Sequence, residues 1–251
     1  MRCDVGGRTG RMETLKLKIN PQLDLSALQS EFRSSGRVRI ANVLAGDSAA
    51  QFYHHMAQRQ DWVRVLNSGD KLFELNRAAQ QTMTDSQKSA LDGAVYAGAR
   101  NGFQYRYESI RVSDDRLSRA QSPDVLARFA EWMTEGEGCA FVRAVTGIER
   151  ISFADAQATA YAPGDFLTGH DDDVAGKNRL AAYVLGLTPG WRPEWGGLLL
   201  FHDGPGRVEG VVPELNTLNI FAVPQQHSVS EVTRAAPYRR YSVTGWLRTH
   251  G

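Results

Sequence analysis

Ile151-Ser-Phe-Ala-Asp-Ala-Gln-Ala-Thr-Ala-Tyr161 runs into Ala-Pro-Gly-Asp165 and then into Phe-Leu-Thr-Gly-His170-Asp-Asp172. A β-branched and apolar run, a Pro-Gly-Asp break and a second short run read as strand, turn and strand. The same texture continues to the C-terminus. Runs at 180–187, 197–201, 208–212, 218–223 and 241–248 are separated by Pro189-Gly190, Asp203-Gly204-Pro205-Gly206 and Pro213. With strands at 151–161 and 167–172, this spacing predicts a mainly β fold of sandwich or jelly-roll type.

Upstream of residue 148 the pattern mixes helix and strand. Asp47 is placed to cap a helix carrying Ala49, Phe52, Tyr53 and Met56 at helical spacing. Thr84-Asp-Ser-Gln87 reads as a capping box that opens a helix to about residue 100. Val125, Leu126, Phe129, Trp132 and Met133 form the apolar stripe of a third helix, with Pro123 at its start. Residues 37–44 and 103–112 read as strands. The expected layout is a disordered leader over 1–12 and a single domain over 13–251. Within that domain an α/β support (about 13–148) packs on one face of a jelly-roll core (about 149–250).

Composition narrows the function classes. An apolar fraction of 42% is enough for a buried core, and 29 basic against 28 acidic residues leave a net charge of +1. That balance predicts no nucleic-acid partner and no attraction to an anionic membrane. The basic first residues lack the apolar centre of a signal peptide, and no run is long enough to span a bilayer. The two cysteines, Cys3 and Cys139, predict neither a disulfide framework nor a cysteine-based zinc site, and fit a cytoplasmic location. The oligomeric state is not readable.

Gly169-His170-Asp171-Asp172-Asp173 carries the first chemical signal. On a strand, side chains two apart share a face, so His170 and Asp172 are expected to converge while Asp171 points away. An imidazole and a carboxylate are two parts of the facial triad that binds iron(II), leaving positions for a bidentate cosubstrate and O2. His227, just after the apolar run 218–223, is the expected third ligand. Each piece has a plain alternative. His170 fits a turn in an acidic loop, and an isolated His227 fits the surface. A calcium loop over Asp171 to Asp173 lacks the EF-hand glycine and glutamate. His202, beside Asp203-Gly204, is the rival distal ligand but reads as a turn residue. His54 and His55 read as solvated helix residues, and His250 as terminal.

In Arg239-Arg-Tyr-Ser-Val-Thr-Gly-Trp-Leu-Arg248, alternation places Arg240, Ser242, Thr244 and Trp246 on one face and Tyr241, Val243 and Leu247 on the other. A cation among hydroxyls on an inward face suits the two-pronged grip of a carboxylate. The alternative is a solvent-facing strand with Arg240 in a surface salt bridge. Arg239 is the rival anchor, on the wrong parity.

Taken in order, four motifs resemble the prolyl-hydroxylase branch of the iron(II)/2-oxoglutarate-dependent dioxygenases. They are Tyr161-Ala-Pro-Gly-Asp-Phe-Leu-Thr-Gly-His170-Asp-Asp172, Trp195-Gly196-Gly197-Leu198, His227-Ser-Val-Ser-Glu-Val232 and Arg240-Tyr-Ser-Val-Thr-Gly-Trp246. The nearest likeness is to the ribosomal-protein prolyl hydroxylases and bacterial relatives; hypoxia-sensing and collagen-type enzymes are more distant. The resemblance covers roughly 150–250, and upstream rests mainly on Asn101-Gly-Phe-Gln-Tyr-Arg-Tyr107. It implies a double-stranded β-helix, with His170, Asp172 and His227 as iron(II) ligands and catalytic centre. It implies that Arg240 holds the distal carboxylate of 2-oxoglutarate, that Tyr161 hydrogen-bonds this cosubstrate, and that Thr244 and Trp246 line its pocket. The implied reaction consumes O2 and 2-oxoglutarate and hydroxylates an unactivated C–H bond, foremost in a prolyl residue of a protein or peptide. Gly186 departs from the pattern, standing where many relatives have tyrosine. The competing readings are the same chemistry on a free amino acid or small metabolite, and a non-catalytic jelly-roll module that binds metal.

Overall fold

The computed structural model describes residues 15–69 and 71–249. The expected leader, with Cys3, and His250 lie outside the described residues.

The first part of the chain lays down α1 (Leu25–Ser35), β1 (Arg37–Ala41), α2 (Ser48–Gln58), the hairpin β2 (Val63–Ser68) and β3 (Lys71–Asn76), α3 (Arg77–Thr82), α4 (Asp85–Asn101) and β4 (Tyr105–Arg111). Three helices follow: α5 (Arg116–Gln121), α6 (Val125–Glu135) and α7 (Glu137–Thr146). The remainder is β: β5 (Phe153–Ala154), β6 (Gln157–Tyr161), β7 (Phe166–His170), β8 (Arg179–Gly186), β9 (Leu199–His202), β10 (Val208–Val211), β11 (Thr217–Ala222), β12 (His227–Val229) and β13 (Arg240–Arg248).

These strands form one 13-stranded sheet ordered β1-β11-β8-β13-β6-β4-β7-β12-β9-β10, with β2, β3 and β5 branching from it. Every pairing is antiparallel. The sheet curls into a half-barrel of jelly-roll type, mainly β with flanking helices as expected. The bend is at β4, which pairs through Glu108–Arg111 with β6 and through Tyr105 and Arg106 with β7. One leaf (β11-β8-β13-β6) therefore faces the other (β7-β12-β9-β10) across an interior.

Strand parity decides what fills each side. On β13, Tyr241, Val243 and Leu247 join Tyr183 and Leu185 of β8 and Leu218 and Ile220 of β11 in the main core. Helices α2, α6 and α7 close that face with Phe52, Met56, Leu126, Phe129, Met133, Val142 and Val145. Each fully buried side chain of this size contributes about 1.5–3 kcal/mol, so the helical layer fixes the outer leaf. The opposite face of the leaf stays free to line the interior. Among the described residues no helix is long and apolar enough to cross a membrane.

The helix starts follow their caps. The Thr84 hydroxyl accepts from Gln87 N at 3.2 Å, and the Gln87 side chain accepts from Thr84 N at 2.8 Å, the expected capping box. Asp47 sits at the start of α2, but its carboxylate accepts from the Gln51 amide instead of capping the backbone. Pro123 precedes the cap of α6 rather than starting the helix; Asp124 is the cap, accepting from Leu126 N at 2.8 Å. Strand β1 stops at Ala41 because Asn42 turns left-handed (φ 53°). The run expected as one strand over 151–161 is broken into β5 and β6. Cys139 is a buried free thiol within α7.

Thr84→Ala is expected to cost about 1 kcal/mol in urea unfolding, the usual value of a lost N-cap. Thr84→Ser should retain most of it. An unchanged midpoint in the alanine variant would show that α4 does not depend on its cap.

Candidate active site

The two leaves enclose a cavity of about 430 Å³. Its inner wall is built by the inward positions of β6 (Gln157, Thr159, Tyr161), β8 (Ala182, Val184) and β13 (Arg240, Ser242, Thr244, Trp246). Its far side carries Leu167 and His170 of β7, Leu199 of β9, and His227 and Val229 of β12. The inward parity expected for the last strand is therefore found.

His170, Asp172 and His227 come together in this cavity, each offering one ligand atom within 4.8 Å of the others. His170 and His227 are register partners across β7 and β12, with ring centroids 4.1 Å apart. The Asp172 carboxylate stands 3.5 Å from the Nε2 atom of each ring, one oxygen toward each. The route to this arrangement differs from the strand alternation expected over 167–172. Strand β7 ends at His170, and Asp172 lies beyond it in the left-handed region (φ 64°). That conformation costs a non-glycine residue roughly 1 kcal/mol or more, and it is the bend that turns the carboxylate back toward the rings.

Both imidazoles are held in the same tautomer. Nδ1 of His170 donates to the Thr168 carbonyl (3.1 Å), and Nδ1 of His227 donates to the Gln225 carbonyl (2.7 Å). Each Nε2 lone pair is thereby left facing the carboxylate, the orientation that ligating histidines need. Burial, reinforced by the neighbouring His170, pushes the pKa of His227 down to about 4, so the ring is neutral at pH 7. Two imidazoles and one carboxylate are the donor set of a non-haem iron(II) site. Asp171 points to the cavity mouth, accepting from Asp173 N and Gln226 Nε2. His202 is on the outer face of β9, where Nε2 lies 2.9 Å from the Ser228 hydroxyl. One strand further along the parity, Ser228 faces out where His227 faces in, so the rival ligand is excluded.

Across the cavity Arg240 is 3% exposed, and its Nε and Nη1 have no hydrogen-bond partner. Burial lowers its pKa. Unpaired guanidinium donors in a buried wall are costly unless an anion completes them. A carboxylate reaching from the triad side meets that need, so the residues present fit both iron(II) and a dicarboxylic cosubstrate. The Tyr161 ring lies 5.0 Å from the Arg240 guanidinium carbon, and burial raises the pKa of its phenol, which stays neutral. Thr244 accepts from Gln157 Nε2 (3.4 Å), and the Thr159 and Ser242 hydroxyls share a hydrogen bond (2.8 Å). Trp246 carries the Arg179 guanidinium 3.5 Å above its ring centre. Arg239 has the opposite parity, faces away from the cavity and approaches the buried Glu108 carboxylate at 3.3 Å.

Two glycine features gain physical reasons. Gly197 is left-handed (φ 62°), and a Cβ there would lie 3.0 Å from Val232 and 3.3 Å from the Arg240 Cδ, so the Trp-Gly-Gly motif lets the chain close over Arg240. Gly186 has the inward parity of β8, but the Glu214 carbonyl already occupies the space 2.2 Å from its Cβ position. The missing tyrosine is replaced by main chain.

Sequence reasoning overlooked Tyr107, Gln157 and Arg179. Tyr107 stacks on Tyr161 (5.0 Å, 25°), and burial pushes its phenol up to about 12. The signal was parity: Gln157 and Thr159 alternate with Tyr161, and Tyr105 with Tyr107, along their strands.

Gly186→Ala is expected to destabilise the fold by about 1–3 kcal/mol, the usual range for overpacking, read by thermal unfolding. A variant as stable as wild type would show that the Glu214 segment yields freely and that the cavity end is soft.

Residues 156–248, which carry most of the strands around the cavity, match the model of the 2OG-Fe(II) oxygenase superfamily. The chain is 32% identical over 116 residues to prolyl 3-hydroxylase OGFOD1 of Mus musculus, an alignment covering 43% of this chain and 21% of that protein. It thus spans about a fifth of the length of the curated relatives it matches. Among solved structures, a prolyl-4-hydroxylase of Pseudomonas putida superposes with a TM-score of 0.58 at 18% identity, covering 91% of this chain and all of that one. A prolyl hydroxylase of Trichoplax adhaerens, solved with a hypoxia inducible factor peptide, superposes with a TM-score of 0.57 at 14% identity, covering 89% and 88%. At these identities the superpositions establish the fold.

Proposed function

We propose that this protein is an iron(II)- and 2-oxoglutarate-dependent dioxygenase that hydroxylates a prolyl residue of a protein or peptide. The observation that carries this reading is the buried, unpartnered Arg240 guanidinium sharing one cavity with a His-Asp-His cluster. When bound, iron(II) and 2-oxoglutarate activate O2; the cosubstrate leaves as succinate and carbon dioxide, and one oxygen atom is inserted into a C–H bond.

The chain's own residues position and protect that chemistry. His170 Nε2, His227 Nε2 and an Asp172 oxygen would hold the metal. Arg240 grips the distal carboxylate through its Nε and Nη1 donors. The neutral Tyr161 and Thr244 hydroxyls are available to the same ligand, and Trp246 walls its pocket. Leu199, Phe221, Val229 and Ala182 exclude water from the reacting side.

The choice of a prolyl residue in a chain, over a free metabolite, is supported by the relatives and by the form of the mouth. Exposed Phe103, Asp173 and Val174 continue the cavity outward, where an extended peptide can lie. The binding-module reading leaves the orphaned Arg240 without a purpose.

Asp172→Ala is expected to abolish manganese(II) binding in calorimetry, whereas His202→Ala should bind as wild type. Arg240→Ala should keep metal affinity and weaken 2-oxoglutarate binding by at least roughly thirtyfold, equivalent to about 2 kcal/mol for a buried charge pair. Wild-type metal affinity in Asp172→Ala, or wild-type cosubstrate affinity in Arg240→Ala, would refute the corresponding assignment. Incubating a tryptic proteome with the loaded enzyme should add one oxygen atom to prolyl residues; mass gain only on free small molecules would move the substrate to the second class.

A further inference from the structure

A second cavity of about 230 Å³ opens beside the first, sharing with it the wall made by Arg111, Gln157, Arg179, Thr244 and Trp246. It is not needed for metal or cosubstrate, and its lining is charged. Asp114, Asp155, Lys177 and Arg248 complete its charged groups with Arg111 and Arg179.

The two carboxylates are already taken. Arg248 Nη2 bonds Asp114 at 2.8 Å and Asp155 at 3.0 Å, and Arg119 adds a longer contact to Asp114 at 3.7 Å. Arg179 donates to the Asp172 main-chain carbonyl (3.0 Å) and is 3.9 Å from the Asp172 carboxylate, which belongs to the metal cluster. Arg111 and Lys177 have no acidic partner among the described residues, and both are exposed. At the mouth of the main cavity stand Asp171, paired with Gln226, and the exposed Asp173. Both line the outer end of the main cavity and neither lines the side cavity.

We propose that the side cavity is a specificity pocket for an acidic side chain, aspartate or glutamate, lying next to the target residue in the peptide substrate. The proposal rests on the prolyl-hydroxylase reading above. With the target residue in the main cavity, the neighbouring side chain passes over the Arg179–Trp246 wall. Its carboxylate is met by Arg111 and Lys177. Electrostatic complementarity of this kind sets preference and encounter rate more than raw affinity.

The test uses proline-centred peptides in which aspartate, asparagine or lysine occupies each flanking position in turn, incubated with the iron- and 2-oxoglutarate-loaded protein. At one position aspartate should raise kcat/KM for oxygen incorporation roughly fivefold over asparagine, the upper end for a partly exposed ion pair. The gain should shrink at high salt. Lys177→Glu and Arg111→Glu should abolish it or turn it into a preference for lysine, with 2-oxoglutarate affinity retained as a check on folding. Hydroxylation without preference for aspartate, or a lysine preference in wild type, overturns the proposal. If no peptide is hydroxylated, the prolyl reading fails, and anaerobic binding of fluorescent aspartate and asparagine peptides decides the pocket. An aspartate preference lost in Lys177→Glu sustains it, and equal or absent binding overturns it.

Discussion

The bend at β4 governs the rest of the molecule. A sheet of this width buries little when flat, and its two leaves face each other only because one strand hydrogen-bonds to β6 over part of its length and to β7 over the rest. That switch sets His170 at the end of β7 opposite Arg240 at the start of β13. The separation of Arg240 from the His-Asp-His cluster is thus fixed by backbone hydrogen bonds rather than by flexible side chains, the arrangement that keeps a reactive constellation in place. The hairpin β2–β3 extends the same bend, pairing with β4 beyond the cavity.

The interior so formed carries costs that the outer face offsets. Arg240 is buried with open donors, His227 is desolvated to neutrality, and Asp172 is held in a left-handed conformation. Each is unfavourable for folding, and each is useful only when ligands arrive. The compensation is on the other side of the same strands, where Val243 and Leu247 alternate with the cavity residues and pack under α6 and α7. One strand therefore serves stability on odd positions and chemistry on even ones.

What the sequence made legible follows from regularity. On β13, a nine-residue strand without a break before its end, parity sorted Arg240, Ser242, Thr244 and Trp246 from Tyr241, Val243 and Leu247, and separated Arg240 from Arg239. The Thr84 box was readable because both halves of the reciprocal bond are side chains. Asp172 lies beside the histidines by a route other than the one expected, since a left-handed turn and not alternation brings it there. Helix α7 escaped notice because its start is a glycine with no side-chain cap, following α6 without a separating loop. Tyr107, Gln157 and Arg179 became visible only once β4, β6 and β8 were seen to share a wall, which depends on pairing between distant strands. Gly186, a departure from the motif, turned out to be filled by the Glu214 main chain, a contact no local pattern encodes.

The most direct test of the central claim is an anaerobic titration of the iron(II)-loaded wild-type protein with 2-oxoglutarate, watched in the visible spectrum. Chelation of the metal by the keto acid gives a weak charge-transfer band, and succinate, which lacks the keto group, gives none. The account predicts a saturable band with 2-oxoglutarate and a flat spectrum with succinate. A folded, iron-loaded protein that shows no band with 2-oxoglutarate would contradict it.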